Sequence, residues 1–322
     1  MAPLCIATLC LATLCRTGVV VAEEAATPAA KTAPPADQSA AAEEPAAPAA
    51  NQPRPRWKLT TGLAAPESAY FDAGTQAIYV SNIDGSPGEK DGKGYIAKLG
   101  LDGKMIAERW VEGMNAPKGI RTHAGKLYVT DLDRVQVIDL KTARITGTII
   151  IKNAKFLNDV AIDDAGTVYV SDLLDNTIYR IAGDTPAVWV SGKEVPHPNG
   201  LLVHDSELIV ASWGEGLDSA NFTTKQPGQL LSFDLKSKAR QILTPDGLGN
   251  LDGLENDGSG GYYASDYLGG NVFHVGADGT ARVILSGLPS PADLGMVEGA
   301  QLLLVPLMSE NALAAYELPD LQ

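Results

Sequence analysis

A unit of about forty residues recurs six times from Trp57 onward, and no other feature of the chain limits its fold as tightly. Each unit opens on a pair led by Pro or Leu: Pro66-Glu67, Pro117-Lys118, Leu157-Asn158, Pro198-Asn199, Leu251-Asp252 and Pro291-Ala292. A run rich in β-branched and aromatic residues follows: AIYVS at Ala77–Ser81, KLYVT at Lys126–Thr130, TVYVS at Thr167–Ser171, ELIVA at Glu207–Ala211, GYYAS at Gly261–Ser265 and LLLVP at Leu302–Pro306. Runs of this kind between turn signals are strands. Third strands are expected at Val135–Asp139, Thr177–Ile181 and Asn271–Val275, and the pairs Asp102-Gly103 and Asp278-Gly279 stand where a hairpin reverses. Two units are about ten residues longer than the rest, which places inserted loops at Ser86–Gly94 and Glu215–Gly228.

A forty-residue period with four strands per unit and no crossover helix is the signature of propeller blades. A solenoid would need capped open ends. The last unit here, from Leu288, supplies only three clear strands, and the isolated segment Trp57–Thr61 is available as its fourth. The expected fold is therefore all-β: a six-bladed β-propeller of four-stranded antiparallel blades, closed by an N-terminal strand.

The first 55 residues have a different character. An apolar run at Pro3–Cys15 has signal-peptide length, too short for a bilayer span, and Val20-Val21-Ala22 offers small residues for cleavage before Glu23. Residues 1–22 thus read as an export segment to the periplasm or the medium, with no integral span left in the mature chain. Residues 23–55 are almost wholly Ala, Pro, Glu, Thr and Gln, which cannot bury enough apolar area to offset the entropy of ordering; they read as a linker ahead of a domain at 56–322. All three cysteines, Cys5, Cys10 and Cys15, lie in the leader, so the domain relies on packing rather than disulfides. The formal net charge of −14 repels phosphate backbones and argues against a nucleic-acid partner.

In a propeller the first strand of each blade lines the central channel, so the second residues of the openings converge on the axis. Those residues are Glu67, Lys118, Asn158, Asn199, Asp252 and Ala292. A ring serving packing alone would favour small or apolar groups. Two carboxylates and two carboxamides instead suit one divalent cation, with Ca²⁺ the first choice and Zn²⁺, Mn²⁺ or Mg²⁺ open.

The elements Pro66-Glu67, Leu157-Asn158-Asp159, Pro198-Asn199-Gly200-Leu201 and Leu251-Asp252-Gly253-Leu254 resemble, in order and blade position, the senescence marker protein / gluconolactonase / luciferin-regenerating-enzyme family. The resemblance runs from about Trp57 to Leu318. It implies that Glu67, Asn199 and Asp252 hold the metal, that Asn158 completes its shell or contacts substrate, and that the activity is hydrolysis of lactones of the sugar type. The chain departs from the family at Phe156, where sugar-lactonase members carry arginine. With Trp213 and Tyr267, Phe156 points to a more apolar substrate pocket, although each ring has a packing reading too.

On this reading Asp252 is the general base, Asn158 positions the ester oxygen, and Lys118 either stabilises developing negative charge or forms a salt bridge with Asp131 or another acid. His197 is either a proton-transfer group or an exposed turn residue. Asn82, Asp131, Asp172 and Asp266, at the ends of second strands, either support the ring or cap turns. No Gly-x-Ser-x-Gly elbow and no phosphate-cradling Gly-Lys-Ser/Thr loop occurs, which argues against serine-hydrolase and nucleotide chemistry. Two functions remain: a metal-dependent hydrolase acting on a small molecule, or a non-catalytic propeller that binds a ligand or protein and keeps a structural ion.

Overall fold

A computed structural model describes residues 52–319. The export segment expected at 1–22, and the linker expected at 23–55 apart from its last residues, lie outside the described residues. Six four-stranded antiparallel sheets form the blades of a propeller. Their first strands are Pro66–Asp72, Pro117–His123, Leu157–Ile162, Pro198–His204, Leu251–Asn256 and Gly295–Val297, for blades 1 to 6. Each packs beside the first strands of the two neighbouring blades around the axis.

The second strands are apolar on both faces because each blade is sandwiched between two others. Ala77–Asn82 and Leu302–Leu307 are buried along their whole length, as a strand covered on both sides should be. Fourth strands, such as Met105–Met114, alternate towards exposure at the rim. The core is correspondingly divided into six large interblade clusters and a small one of Ile83, Ala116 and Leu132. One joins Ile78 and Val80 to Leu304 and Leu313, across the seam where the chain's two ends meet. The other five join blades 2–3, 3–4, 4–5, 1–2 and 5–6.

Closure uses the N-terminal segment, as expected, with a longer strand. Arg54–Leu59 pairs antiparallel with Ala312–Glu317, from Arg54 opposite Glu317 to Leu59 opposite Leu313. The strand starts at Arg54, two residues before the expected domain start, because Pro55 already pairs with Tyr316. This covers an otherwise open edge of blade 6. The Asp-Gly turns fall between third and fourth strands, with Gly103 at φ 76° and Gly279 at φ 79°.

Both inserted loops connect second to third strands, in blades 1 and 4. The second carries a two-residue hairpin, Gly214–Glu215 against Gln226–Pro227. The second-to-third connections of all blades lie at the end of the channel where first strands begin. The insertions are therefore walls of that mouth. No helix among the described residues is long and apolar enough to cross a membrane.

Candidate functional site

Three repeated local devices aim the ring residues. The first is a register irregularity in five of the six first strands, between Pro66 and Ala69, Pro117 and Ile120, Leu157 and Val160, Pro198 and Leu201, and Leu251 and Leu254. The extra residue of a bulge redirects side chains, and in every case it falls beside a ring position. The second is a hydroxyl from the second strand that reaches the next blade. Ser171 Oγ donates to Asn199 O at 2.7 Å, Ser265 Oγ to Ala292 O at 2.8 Å, and Thr130 Oγ1 to Asn158 O. Gly200 permits this approach of blades: a Cβ there would sit 2.1 Å from Asp252 O.

The third device is the polar residue ending the second strand. Asp131 Oδ1 accepts from Asn115 N and Ala116 N, both at 2.9 Å. Asp172 accepts from Lys155 N at 2.7 Å and Phe156 N at 2.9 Å. Asp266 accepts from Asn250 N at 2.9 Å, and Asn82 from Ala64 N at 3.0 Å. Each clamps the backbone two or three residues ahead of a ring residue. All four therefore support the ring, and Asp266 also caps the turn after its strand, accepting from Gly269 N at 3.1 Å.

Glu67, Lys118, Asn158, Asn199 and Asp252 come together on one cavity of about 260 Å³. Ala292 is buried but is not part of its lining. Glu67 and Asp252 are 4% and 5% exposed, yet Glu67 Oε2, Asp252 Oδ1 and both amide atoms of Asn199 lack any hydrogen-bond partner. An unpartnered buried polar group costs about 1–3 kcal/mol, more when charged. Burial, then Asp252 and Asp293, push Glu67 well above the carboxylate range, with Lys118 opposing. Burial, then Asp293 and Asp159, do the same to Asp252. Orphaned oxygens on two repelling carboxylates and a carboxamide are the donor set that a hard or borderline divalent ion takes. Among the described residues no three His, Cys, Asp or Glu side chains are placed to hold a metal ion between them, so a cation here would rely on Asn199 and Asn158 to complete the set begun by the two acids.

Of the two roles open to Lys118, the salt bridge with Asp131 or another acid does not form. Its Nζ donates to Ala116 O at 3.0 Å and Pro87 O at 3.2 Å, and stands 4.4 Å from the Phe156 ring centroid. Asp131 is occupied by backbone amides instead. Burial lowers Lys118 to about 8, against the pull of Glu67 and Asp131. His197 lies elsewhere, in a separate depression with Asn176, Lys193 and Glu215. It is half-buried rather than exposed, and its Nδ1 is 2.8 Å from Leu173 O.

Phe156, Trp213 and Tyr267 all line the cavity. Sequence reasoning missed the residues that join them. Phe222, from the blade 4 insertion, has its ring centroid 5.9 Å from Phe156 and 6.5 Å from Trp213. Trp213 and Tyr267 are 5.6 Å apart, and Met308 accepts the Tyr267 hydroxyl at 3.3 Å. The insertion's length was the available signal for Phe222.

A second buried layer lies one and three residues beyond the ring positions. Asp159, Asp293 and Glu255 surround Arg121, whose guanidinium is 3.4 Å from Glu255 and 3.7 Å from Asp293. Burial opposes the charge on Arg121, but Glu255, Asp159 and Asp293 hold its pKa above the ordinary value. Burial raises Glu255 to about 7 in spite of Arg121. Ser68 Oγ donates to Asp293 at 2.5 Å, which binds blade 6 to blade 1.

No family model and no curated protein matches this sequence. Solved structures do match. A gluconolactonase of Xanthomonas campestris superposes with a TM-score of 0.64 at 16% identity, over 86% of this chain and 99% of that one. A streptogramin B lyase gives 0.56 at 10% identity, over 81% and 96%. A chain of a nidogen/laminin complex gives 0.55 at 19%, over 66% and 82%. At these identities the likeness establishes a gluconolactonase-like propeller fold, a fold that carries both catalytic and binding functions.

Proposed function

We propose that the chain is a divalent-metal-dependent hydrolase of lactones or related esters. One observation carries the reading: the unpartnered buried oxygens of Glu67, Asn199 and Asp252 face one ligand-sized cavity at the channel mouth. The gluconolactonase neighbour supports it at the level of fold. Export to the periplasm or the medium belongs to the same proposal and rests on the apolar leader at Pro3–Cys15.

Glu67, Asn199 and Asp252 would hold the cation, with Asn158 completing the shell or contacting substrate. When bound, such an ion polarises an acyl carbonyl and makes water a better nucleophile near neutral pH. The side chains account for the remaining roles. The Asp252 carboxylate accepts the proton of the attacking water and returns it to the alkoxide released when the acyl C–O bond breaks. The Asn158 amide fixes the ring oxygen of the lactone. Lys118, with two of its three donors spent on backbone carbonyls, has one left for the oxygen that gains negative charge. The aromatic wall keeps bulk water from the reacting group.

The competing reading, a ligand-binding propeller with a structural ion, draws on Phe156 standing where sugar lactonases carry arginine. A lactone panel with added Ca²⁺, Mn²⁺ or Zn²⁺, before and after chelation, separates the two. Metal-dependent turnover is expected. A cation that raises the melting temperature while no lactone is hydrolysed would leave the binding module standing alone.

A further inference from the structure

We infer that the substrate carries an apolar alkyl or aryl substituent beside its lactone or ester group, rather than a polyhydroxylated ring. The hydrolase reading supplies the reacting group; the cavity wall alone supplies the substituent. Phe156, Phe222, Trp213 and Tyr267 make a continuous aromatic arc, with consecutive ring centroids 5.9, 6.5 and 5.6 Å apart. Ile83, Leu173 and Met308 extend the apolar wall.

Most polar atoms in this wall are already engaged, the exposed Asn221 amide nitrogen excepted. The Tyr267 hydroxyl donates to Met308 Sδ, and Trp213 Nε1 donates to Phe222 O at 2.7 Å. Asn221 Oδ1 accepts from Thr223 N and Thr223 Oγ1. Hydrogen-bonding capacity is therefore concentrated at the floor, where Glu67, Asn158, Asn199 and Asp252 meet the reacting group. A sugar lactone would bring its ring hydroxyls against aromatic faces and leave them unpaired, which binding sites penalise heavily. A methylene chain loses nothing there and gains burial.

The arc is a fixed wall. Asn250 Nδ2 donates to Trp213 O at 2.8 Å and to Thr224 Oγ1 at 2.9 Å, and Lys225 N donates to Glu215 O at 2.9 Å, so the insertion is pinned on both sides of Phe222. The space of about 260 Å³ equals roughly nine water volumes at ~30 Å³ each. That accommodates a five-membered lactone ring with a substituent of about three or four carbons.

The test uses γ-lactams bearing hydrogen, methyl, ethyl or propyl beside the ring nitrogen, binding to the cation-loaded protein and read by calorimetry. These analogues keep the carbonyl and resist hydrolysis, so binding is measured apart from turnover. Affinity should rise about fourfold per added methylene and level off as the cavity fills. Phe222→Ala should flatten the series to less than twofold per methylene, and Phe222→Leu should keep most of the slope, each variant first checked by its melting curve. A flat series in the native protein, or tighter binding of a polyhydroxylated lactam, overturns the inference. Turnover of gluconolactone in preference to alkyl lactones overturns it too, with the hydrolase reading intact. The expected lactam series without turnover of any lactone keeps the apolar subsite and sinks the hydrolase.

Discussion

Replacing Asp252 with asparagine should stabilise the cation-free protein. In wild type, two buried carboxyls face the same cavity, each with an oxygen that no hydrogen bond satisfies. Burial and the charges of Asp293 and Asp159 both oppose ionisation of Asp252. A carboxamide of nearly equal volume removes the charge without opening a hole. The relief should be about 1–3 kcal/mol, from removing the cost of holding an ionisable carboxyl among buried acids; the carboxamide still has unpaired polar atoms and recovers none of their penalty. For a domain of this size each kcal/mol moves the melting temperature by roughly 2–4 °C, so chelator-treated Asp252→Asn should melt roughly 2–12 °C above wild type. Added cation should reverse the order. At a hundred times its dissociation constant a ligand stabilises the native state by about 2.7 kcal/mol, and the variant, short of one anionic ligand, should lose most of that increment. Thermal unfolding followed by circular dichroism, in chelator and across Ca²⁺, Mn²⁺ and Zn²⁺ titrations, reads both effects. A variant that melts below wild type in chelator and gains the same increment from cation would refute the reasoning, because Asp252 would then be neither strained nor a ligand.

Two further outcomes concern the layer beneath. Arg121→Met strips the cation from Asp159, Glu255 and Asp293, all buried, and should cost about 3–5 kcal/mol in denaturant unfolding; a loss under 1 kcal/mol would mean that the acids are already neutral in the folded protein. Glu255, held at about 7 by burial against an ordinary value of 4.5, contributes stability that is fully present below about pH 4.5 and lost as pH rises through 7. Glu255→Gln should therefore match or trail wild type at pH 4.5 and improve relative to it by up to about 3 kcal/mol by pH 8; a stability difference independent of pH would show that Glu255 titrates as an ordinary carboxyl.

The repeat made the fold legible because its signals are local. A run such as Lys126–Thr130 and a turn such as Asp278-Gly279 report their conformation from a few neighbouring residues, and six copies in register give the blade count and the channel-facing positions. That register was enough to put Glu67, Asn158, Asn199 and Asp252 around one axis. The same signals left two roles open for Lys118, and only the structure shows its Nζ on Ala116 O and Pro87 O while Asp131 accepts from the amides of Asn115 and Ala116. His197 likewise looked close to Asn199, two residues on, yet it lies in a different depression: it precedes the strand that starts at Pro198, and its own left-handed backbone, φ 41°, breaks the alternation that would put residues two apart on one side.

What the sequence determined by itself is the propeller, its closure by an N-terminal strand, and which polar residues face the axis, since each follows from periodicity and short-range preference. Only the tertiary structure decided that Phe222 and Met308 complete the wall begun by Phe156, Trp213 and Tyr267, and that Arg121 serves three acids from three other blades. Those contacts join residues far apart along the chain, and their geometry is set when the ring closes and every blade's position is fixed by its two neighbours.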